Sequence, residues 1–339
     1  MNKSTLTIRL SNRLLAAAST VLLIVLPAQA ATFTRTFEKS LPTTPGNRVE
    51  LSSRYAEIST IPGDDTSVTM SVLVTVKASD EADAEQFFAA IIADLKEESG
   101  KVVGRVDFDG EKVGPEWRFR KGPELVVTLK VPATYNLDVR CTSGDVKATG
   151  IQGNHNLTST SGKVSTLKCA GDHNLKTTSG DIQMNDCTGD FTVQSTSGTV
   201  GLKNCPGKHT LSSVSGDIRV RDGHGALQLK STSGEILVEN TPGAHHAKSS
   251  SGDIKLLIPG GLDTPTTVSS TSGDVVVKVP ASSLASIALK TVSGNLTSDF
   301  AITSESVDSR KNQIKGTING GGSLIEITTV SGDVSFGRL

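Results

Sequence analysis

The chain has 339 residues, 36% of them hydrophobic and 4% aromatic. Its 34 Lys and Arg stand against 35 Asp and Glu. That balance gives no basic surface excess and argues against a nucleic-acid-binding protein.

Residues 1–30 read as an export signal. Lys3, Arg9 and Arg13 form a basic start, Leu14 to Leu26 is an apolar run too short for an ordinary span, and Ala28-Gln29-Ala30 is a small-residue cleavage pattern. Cleavage is expected after Ala30, with the mature chain starting at Ala31 and lodged in the periplasm, outside the cell or on its surface. No Cys stands at the cleavage point, so no lipoprotein anchor is expected, and no later apolar stretch is long enough to span a membrane. Removing three basic and no acidic residues leaves 31 against 35, a formal charge of −4.

Residues 31–135 form an irregular N-terminal β region. Val49-Glu50-Leu51, Glu57-Ile58-Ser59 and the alternating run Val68 to Lys77 read as strands. The period then changes. Ser79 can cap a helix with Asp80, Glu81 and Asp83 in its first turn, and Phe87, Phe88, Ile91, Ile92 and Leu95 mark one apolar face. The spacing predicts a helix over about 80–98, ended by Ser99-Gly100 and packed on a sheet or over an end of the fold. Val102 to Phe108 and Glu124 to Val131 read as further strands, joined by a polar loop containing Trp117.

Regular repetition begins at residue 136. Ser-Gly recurs at Ser143, Ser161, Ser179, Ser197, Ser215, Ser233 and Ser251, each step being 18 residues. Counting from the Gly of each pair, position two is Val146, Val164, Ile182, Val200, Ile218, Ile236 and Ile254, and position nine is again Gly from Gly153 to Gly243. Position thirteen runs Leu157, Leu175, Val193, Leu211, Leu229 and Ala247. Gly at a fixed offset fits a corner needing positive φ or close backbone approach. Between corners the apolar residues alternate with polar ones, which is a strand pattern. One unit cannot bury its apolar face alone, whereas stacked units cover one another. The expected fold is all-β: a single-stranded β-solenoid (β-helix) of 18–21-residue coils, paired in parallel at roughly 4.8 Å. Two-sided and three-sided coils both remain open. Position fifteen is Ser or Thr in six successive units, from Ser159 to Ser249. If these hydroxyls point inward, they should bond neighbouring coils, because an unpaired buried hydroxyl is costly.

Regular coils span 136–262, with longer coils and an end cap over 263–339. The corners Asp263 to Thr267 and Ala281 to Ser286 are enlarged, and steps of 21 lead to Ser272 and Ser293. Residues 299–322 form a polar insertion containing Gly320, Gly321 and Gly322. Ser323 to Phe336 then returns to the repeat as the last coil, with Ser331-Gly332-Asp333-Val334.

An export signal, an early strand region broken by an acidic-start helix, and many Thr-x-Ser-Gly-Asp-Val/Ile units together resemble the putative-adhesin family of bacterial exported β-strand-repeat proteins. Thr329-Val330-Ser331-Gly332-Asp333-Val334 and Val214-Ser215-Gly216-Asp217-Ile218 carry the resemblance best. It implies a β-solenoid on the exported side of a bacterial membrane and carries no catalytic residues across.

Four side-chain columns invite chemistry, and each has a simpler structural reading. Asp145, Asp181, Asp217, Asp253, Asp274 and Asp333 follow Ser-Gly and could line up for Ca²⁺, but Lys163, Thr199 and Glu235 interrupt them. An Asx-turn bonding its own backbone is the preferred reading. His155, His173, His209 and His245 share one offset and could hold a metal, yet Phe191 and Leu227 occupy it too, as a packing position would allow. Cys169, Cys187 and Cys205 share another offset, with Cys141 apart. An oxidising compartment permits a disulfide, but Ile151 fills that offset as well, so small core hydrophobes are the better reading. Thr158 and Thr160 make a Thr-x-Thr pair that later units do not keep, which argues against an ice-binding face. No Gly-x-Ser-x-Gly elbow, His-Glu-x-x-His or phosphate loop is present. From 136 to 298 the one aromatic is Phe191, which argues against a sugar groove on the regular coils.

The expected function is a non-enzymatic exported envelope protein, an adhesin-like surface or scaffold rod with an envelope protein or cell-surface component as partner. No catalytic, cofactor or metal residue is assigned and no nucleic acid is expected. A polysaccharide-binding or polysaccharide-acting β-helix, with its site near Trp117 or in 299–322, is the alternative. A metal-binding solenoid using the His or Asp columns is a third reading.

Overall fold

The computed structural model describes residues 31–114, 122–260, 264–308 and 312–339. The expected signal segment and Trp117 lie outside the described residues.

Each regular coil crosses two sheets. A four-residue strand such as Val146–Thr149 lies in the first, and a five-residue strand such as His155–Ser159 lies in the second. Successive coils pair in parallel and in register, Val164 on Val146 and His173 on His155. The first sheet has 14 strands and the second 15, which makes a rod of roughly 60 Å at about 4.8 Å per strand. The coil is therefore two-sided. Only single bridges mark the narrow corner between the sheets, at Gln152–Ala170, Ala170–Thr188 and Pro206–His224.

Alternation decides what fills the space between the sheets. In Val146–Thr149, Val146 and Ala148 are buried while Lys147 is exposed, and in His155–Ser159 the odd-numbered residues are buried. One continuous core of Val, Ile and Leu runs the length of the rod. The corner after each first-sheet strand holds a left-handed residue. Gly150, Lys168, Asp186, Asn204, Asp222 and Asn240 have φ between 50° and 70°. Asn and Asp tolerate that conformation best among side-chain-bearing residues. They also bond along the column, Asn204 Nδ2 to Asp186 Oδ1 at 2.8 Å and Asn240 Nδ2 to Asp222 Oδ1 at 2.7 Å.

The helix is shorter than the spacing predicts. It spans Glu81–Ala89, capped by Asp80, whose carboxylate accepts the Asp83 N–H at 2.8 Å, rather than by Ser79. Ile91–Glu98 is a strand, antiparallel to Lys101–Phe108. Ser99-Gly100 does not stop a helix but turns this hairpin, with φ of 53° and 75°, the doubly positive turn that suits a two-residue hairpin loop. Phe87 and Phe88 face the core from the helix and Leu95 from the strand, so one apolar cluster served two elements.

Neither end of the chain stacks in sequence order. The strands Arg48–Ser53 and Glu57–Pro62 form a full coil inside the region expected to be irregular. This coil pairs on one side with Asn136–Cys141 and Val146–Thr149 and on the other with Lys101–Phe108 and Glu124–Val131. At the far end, Ser323–Ser331 and Val334–Arg338 are not the outermost coil. They insert between the coil of Thr266–Ser272 and Val275–Val279 and the coil of Ala285–Lys290 and Leu296–Ser298. The 299–322 insertion is a hairpin, Thr303–Asp308 with Gln313–Ile318, laid antiparallel on Ala285–Lys290. At the opposite end, Ala31–Pro42 and Ser67–Ala78 are antiparallel and close the first sheet. Antiparallel strands thus end both sheets at the N-terminal end and the second sheet at the far end, whereas the first sheet ends there on the short parallel strand Leu296–Ser298.

Candidate functional site

The repeated polar residues build the rod. Ser159 Oγ accepts the Gly162 N–H at 3.0 Å and donates to Gly144 O at 2.9 Å in the preceding coil. Thr177 repeats both bonds, with Gly180 N and Gly162 O. Ser159 and Thr177 thus bond the neighbouring coil, as expected, whereas Ser195, Ser213 and Ser231 accept the corner N–H of their own coil from Gly198, Gly216 and Gly234, and the buried Ser249 hydroxyl has no hydrogen-bond partner among the described residues. Bonds between coils continue through the intercalated end, where Thr329 reaches Gly273 O and Thr291 reaches Gly332 O.

The Asp column corrects the Asx-turn expectation. Asp145 Oδ1 accepts the Lys163 N–H, Asp181 that of Thr199 and Asp253 that of Asp274. Each carboxylate points along the rod and staples its coil to the next. The next coil supplies only a backbone N–H there, so any residue serves, which explains Lys163, Thr199 and Glu235 between the acids.

The His column lies in the core. His155, His173, His209 and His245 are each at most 2% exposed. The rings of His155, His173, Phe191 and His209 follow one another at centroid distances of 4.4, 4.8 and 4.5 Å, the first two pairs tilted and the last stacked. His209 Nε2 meets Cys205 O at 2.9 Å and His245 Nε2 meets Thr241 O at 2.8 Å. Burial lowers His155 to about 3 and His173 to about 4, so both are neutral at physiological pH. The four cysteines are buried free thiols. Hydrogen bonding to Cys187 and burial push the Cys169 and Cys205 thiols up. Among the described residues no group of three or more His, Cys, Asp or Glu side chains is arranged for a metal ion.

The outward chemistry gathers where the first coil meets the repeat. Arg54, Arg105 and Arg140 line a hollow of about 600 Å³ with Ser52, Asp107, Thr142, Thr158 and Thr160. Register places them: Arg105 lies beside Ser52, Ser52 beside Arg140 and Arg140 beside Thr158, on the outer face of the second sheet. Arg54 Nε bonds both oxygens of Asp107, at 2.8 and 2.7 Å, and Arg105 Nη2 reaches Asp107 Oδ2 at 3.3 Å. The Asp107 side chain is only 4% exposed, whereas the three arginines are 52%, 59% and 62% exposed. Arg140 Nη2 is held by Asp138 at 2.8 Å. Beside the hollow, the exposed Tyr55 ring lies 5.6 Å from the Arg54 guanidinium. The sequence hides this site because Ser53-Arg54-Tyr55-Ala56-Glu57-Ile58 carries no Ser-Gly pair to mark it as a coil. It aligns in register with Cys141-Thr142-Ser143-Gly144-Asp145-Val146, so Ala56 in place of Gly masked the unit.

Fold and columns together define a two-sheeted β-solenoid with intercalated ends and a polar outer face. The description Toastrack DUF4097 matches residues 48–336, and the chain belongs to that family. Among solved structures the chain is similar to a Clostridium sporogenes protein described as a putative cell adhesion protein, with 11% identity over 90% of this chain and 100% of that one, at a TM-score of 0.25. A Parabacteroides distasonis protein described as a putative lipid binding protein is 14% identical over 90% and 96%, at 0.36. A putative adhesin from Bacteroides fragilis is 10% identical over 90% and 97%, at 0.31. No curated protein matches the chain.

Proposed function

We propose that the mature chain is an exported, non-enzymatic envelope protein that works as a rigid recognition rod, adhesin-like or scaffolding. The observation that carries this reading is the set of fixed outward columns along the rod. Across the second sheet each outward residue keeps its place from coil to coil, as Thr158, Lys176 and Gln194 do. Antiparallel strands end three of the four sheet edges, and the fourth is the three-residue strand Leu296–Ser298. Such a rod can present a long ordered surface. The basic, apolar and small-residue pattern of residues 1–30 supports export. The polar repeats support the non-enzymatic reading, since the carboxylates recurring after Ser-Gly are occupied in bonds between coils and most of the recurring hydroxyls in bonds to corner backbone.

The test is a pull-down from native envelope fractions with residues 31–339 as bait, with and without chelator. Reproducible, chelator-insensitive retention of one envelope component supports the reading. Retention that needs a divalent metal, or a turnover abolished by one substitution, contradicts it.

A further inference from the structure

The arginine hollow has a chemistry that the rod's architecture does not use up. Asp107 needs one guanidinium to satisfy its buried carboxylate, and Arg54 supplies it through both oxygens. Arg105 adds only one longer bond, and Arg140 is held by Asp138 outside the hollow. Among the described residues no partner is found for Arg54 Nη1, nor for the Nε and Nη1 atoms of Arg105 and Arg140. The lining thus carries three positive charges against one negative charge, with Asp138 paired to Arg140 just outside its rim, donors to spare, and the outward hydroxyls of Ser52, Thr142, Thr158 and Thr160 around them. Guanidiniums in that state are suited to a carboxylate or phosphate oxygen pair.

The hollow also has a direction. The outward column containing Arg105, Ser52 and Arg140 continues through Thr158, Lys176, Gln194, Ser212, Lys230 and Lys248. Arg105, Arg140 and Lys176 stand on alternate strands, so successive cations are about 10 Å apart at strand spacing. Hydroxyl side chains of Ser52 and Thr158 fill the places between. A nucleic acid carries a phosphate at every nucleotide, one per about 3.4 Å of helix axis on each strand, denser than this column can match. A protein partner would look for a desolvated apolar anchor, and among the described residues the exposed aromatic here is Tyr55, beside Arg54. Sparse anionic groups separated by hydroxyls on an extended chain fit the column best; charge and hydroxyl contacts hold them, so the scarcity of aromatic rings on the regular coils, which argues against a stacking sugar groove there, does not exclude them.

We infer that this face binds a linear acidic polysaccharide, with one carboxylate or phosphate group seated among Arg54, Arg105 and Arg140 and the chain running along the column toward Lys176. This inference rests on the recognition-rod reading and names the ligand class of that surface. Arg105 and Arg140 supply charge and hydrogen bonds to the anion. Arg54, clamped on Asp107, holds the third wall, and the Tyr55 ring offers a sugar face a stacking surface.

The experiment is a binding titration of residues 31–339 with hyaluronan, which carries one carboxylate per disaccharide, a phosphate-bearing mannan and neutral dextran, at low and at physiological salt. At least one acidic polymer binds, with affinity falling as salt rises, and dextran does not. Which polymer binds identifies the anion. The double variant Arg105→Ser/Arg140→Thr, which leaves the Arg54–Asp107 pair in place, weakens binding about tenfold or more, a change of about 1.4 kcal/mol. Lys230→Ser/Lys248→Ser, which removes the same charge farther along the column, weakens it less than about threefold. Unchanged circular dichroism and melting show that both variants are folded. Binding of neither acidic polymer, or equal losses in the two double variants, overturns the inference. If that happens while native envelope fractions still yield a retained component, the rod reading stands and only its ligand class falls.

Discussion

Gly198→Ala tests why Ser-Gly recurs every 18 residues. A Cβ on Gly198 would lie 1.9 Å from Gly180 O and 2.4 Å from Gly180 C, both backbone atoms of the coil below. Carbon–oxygen contacts settle at about 3.3–3.6 Å, so the coils must part locally by more than about 1 Å. Two bonds beside the corner have little slack, Ser197 N to Thr178 O at 2.9 Å and Gly198 N to Ser195 Oγ at 3.0 Å. Overpacking costs about 1–3 kcal/mol and each strained hydrogen bond about 1 kcal/mol. The expected loss is about 3–5 kcal/mol. Gly201, in the same coil, is the control, since its nearest would-be contact is Ile182 O at 3.9 Å. Gly201→Ala should be neutral or stabilise by about 0.5 kcal/mol through reduced unfolded-state freedom. Urea unfolding gives the global change, and hydrogen exchange locates it, because repeat proteins open locally. A Gly198→Ala protein within about 1 kcal/mol of wild type, or a Gly201→Ala protein equally damaged, would refute the close-approach argument.

Four further outcomes follow from the same geometry. Ser159→Ala strands the Gly162 N–H and the Gly144 carbonyl and should cost about 2–3 kcal/mol, whereas Ser159→Thr, which copies Thr177, should cost under about 1 kcal/mol in the same denaturation assay. Lys168→Gly relieves a side chain at φ 53° and should stabilise by about 1 kcal/mol. His155 and His173 are depressed in the folded state, to about 3 and about 4, from 6.5, so the unfolded chain takes up more protons as pH falls. Their contribution is complete above about pH 6.5 and is lost as pH drops toward 4 and 3. His155→Phe/His173→Phe, copying Phe191, should flatten the stability profile between pH 4 and 6.5, and a profile that keeps the wild-type slope would refute it. Ser269→Cys/Thr328→Cys should form an intramolecular disulfide on oxidation, because these residues are strand neighbours. Ser269→Cys/Lys290→Cys should not, since Thr328 stands between them. The opposite pattern would mean that the coils stack in sequence order.

The solenoid was legible because its signal is repeated. Ser-Gly spacing, the Val/Ile and Leu columns and the inward Ser/Thr each recur enough to fix coil length, strand positions and hydrogen-bonding role. The ends were not legible, because they depend on which coil lies beside which. Thr329-Val330-Ser331-Gly332-Asp333-Val334 reads the same whether its coil is last or last but one. Only the pairing of Ser323–Ser331 with two other coils settles that. The helix was overrun for a related reason. Ile91, Ile92 and Leu95 continue a helical spacing from Phe87 and Phe88, but they also suit a strand, and only the left-handed Ser99-Gly100 pair tips the balance to a hairpin. The Asp column was visible but misassigned, since the direction of a corner carboxylate is set by the coil above it. The arginine hollow draws Arg54, Arg105 and Arg140 from three separated segments and follows no period, so spacing could not gather them.

The central claim is recognition without turnover, and a mass balance tests it most directly. Immobilised residues 31–339 are incubated with native envelope material, and both the retained material and the soluble products are followed over time. The account predicts retention that saturates near one site per rod, with the retained material recovered unchanged. Soluble products that accumulate beyond the amount of protein, and that cease to form after one substitution, would contradict it.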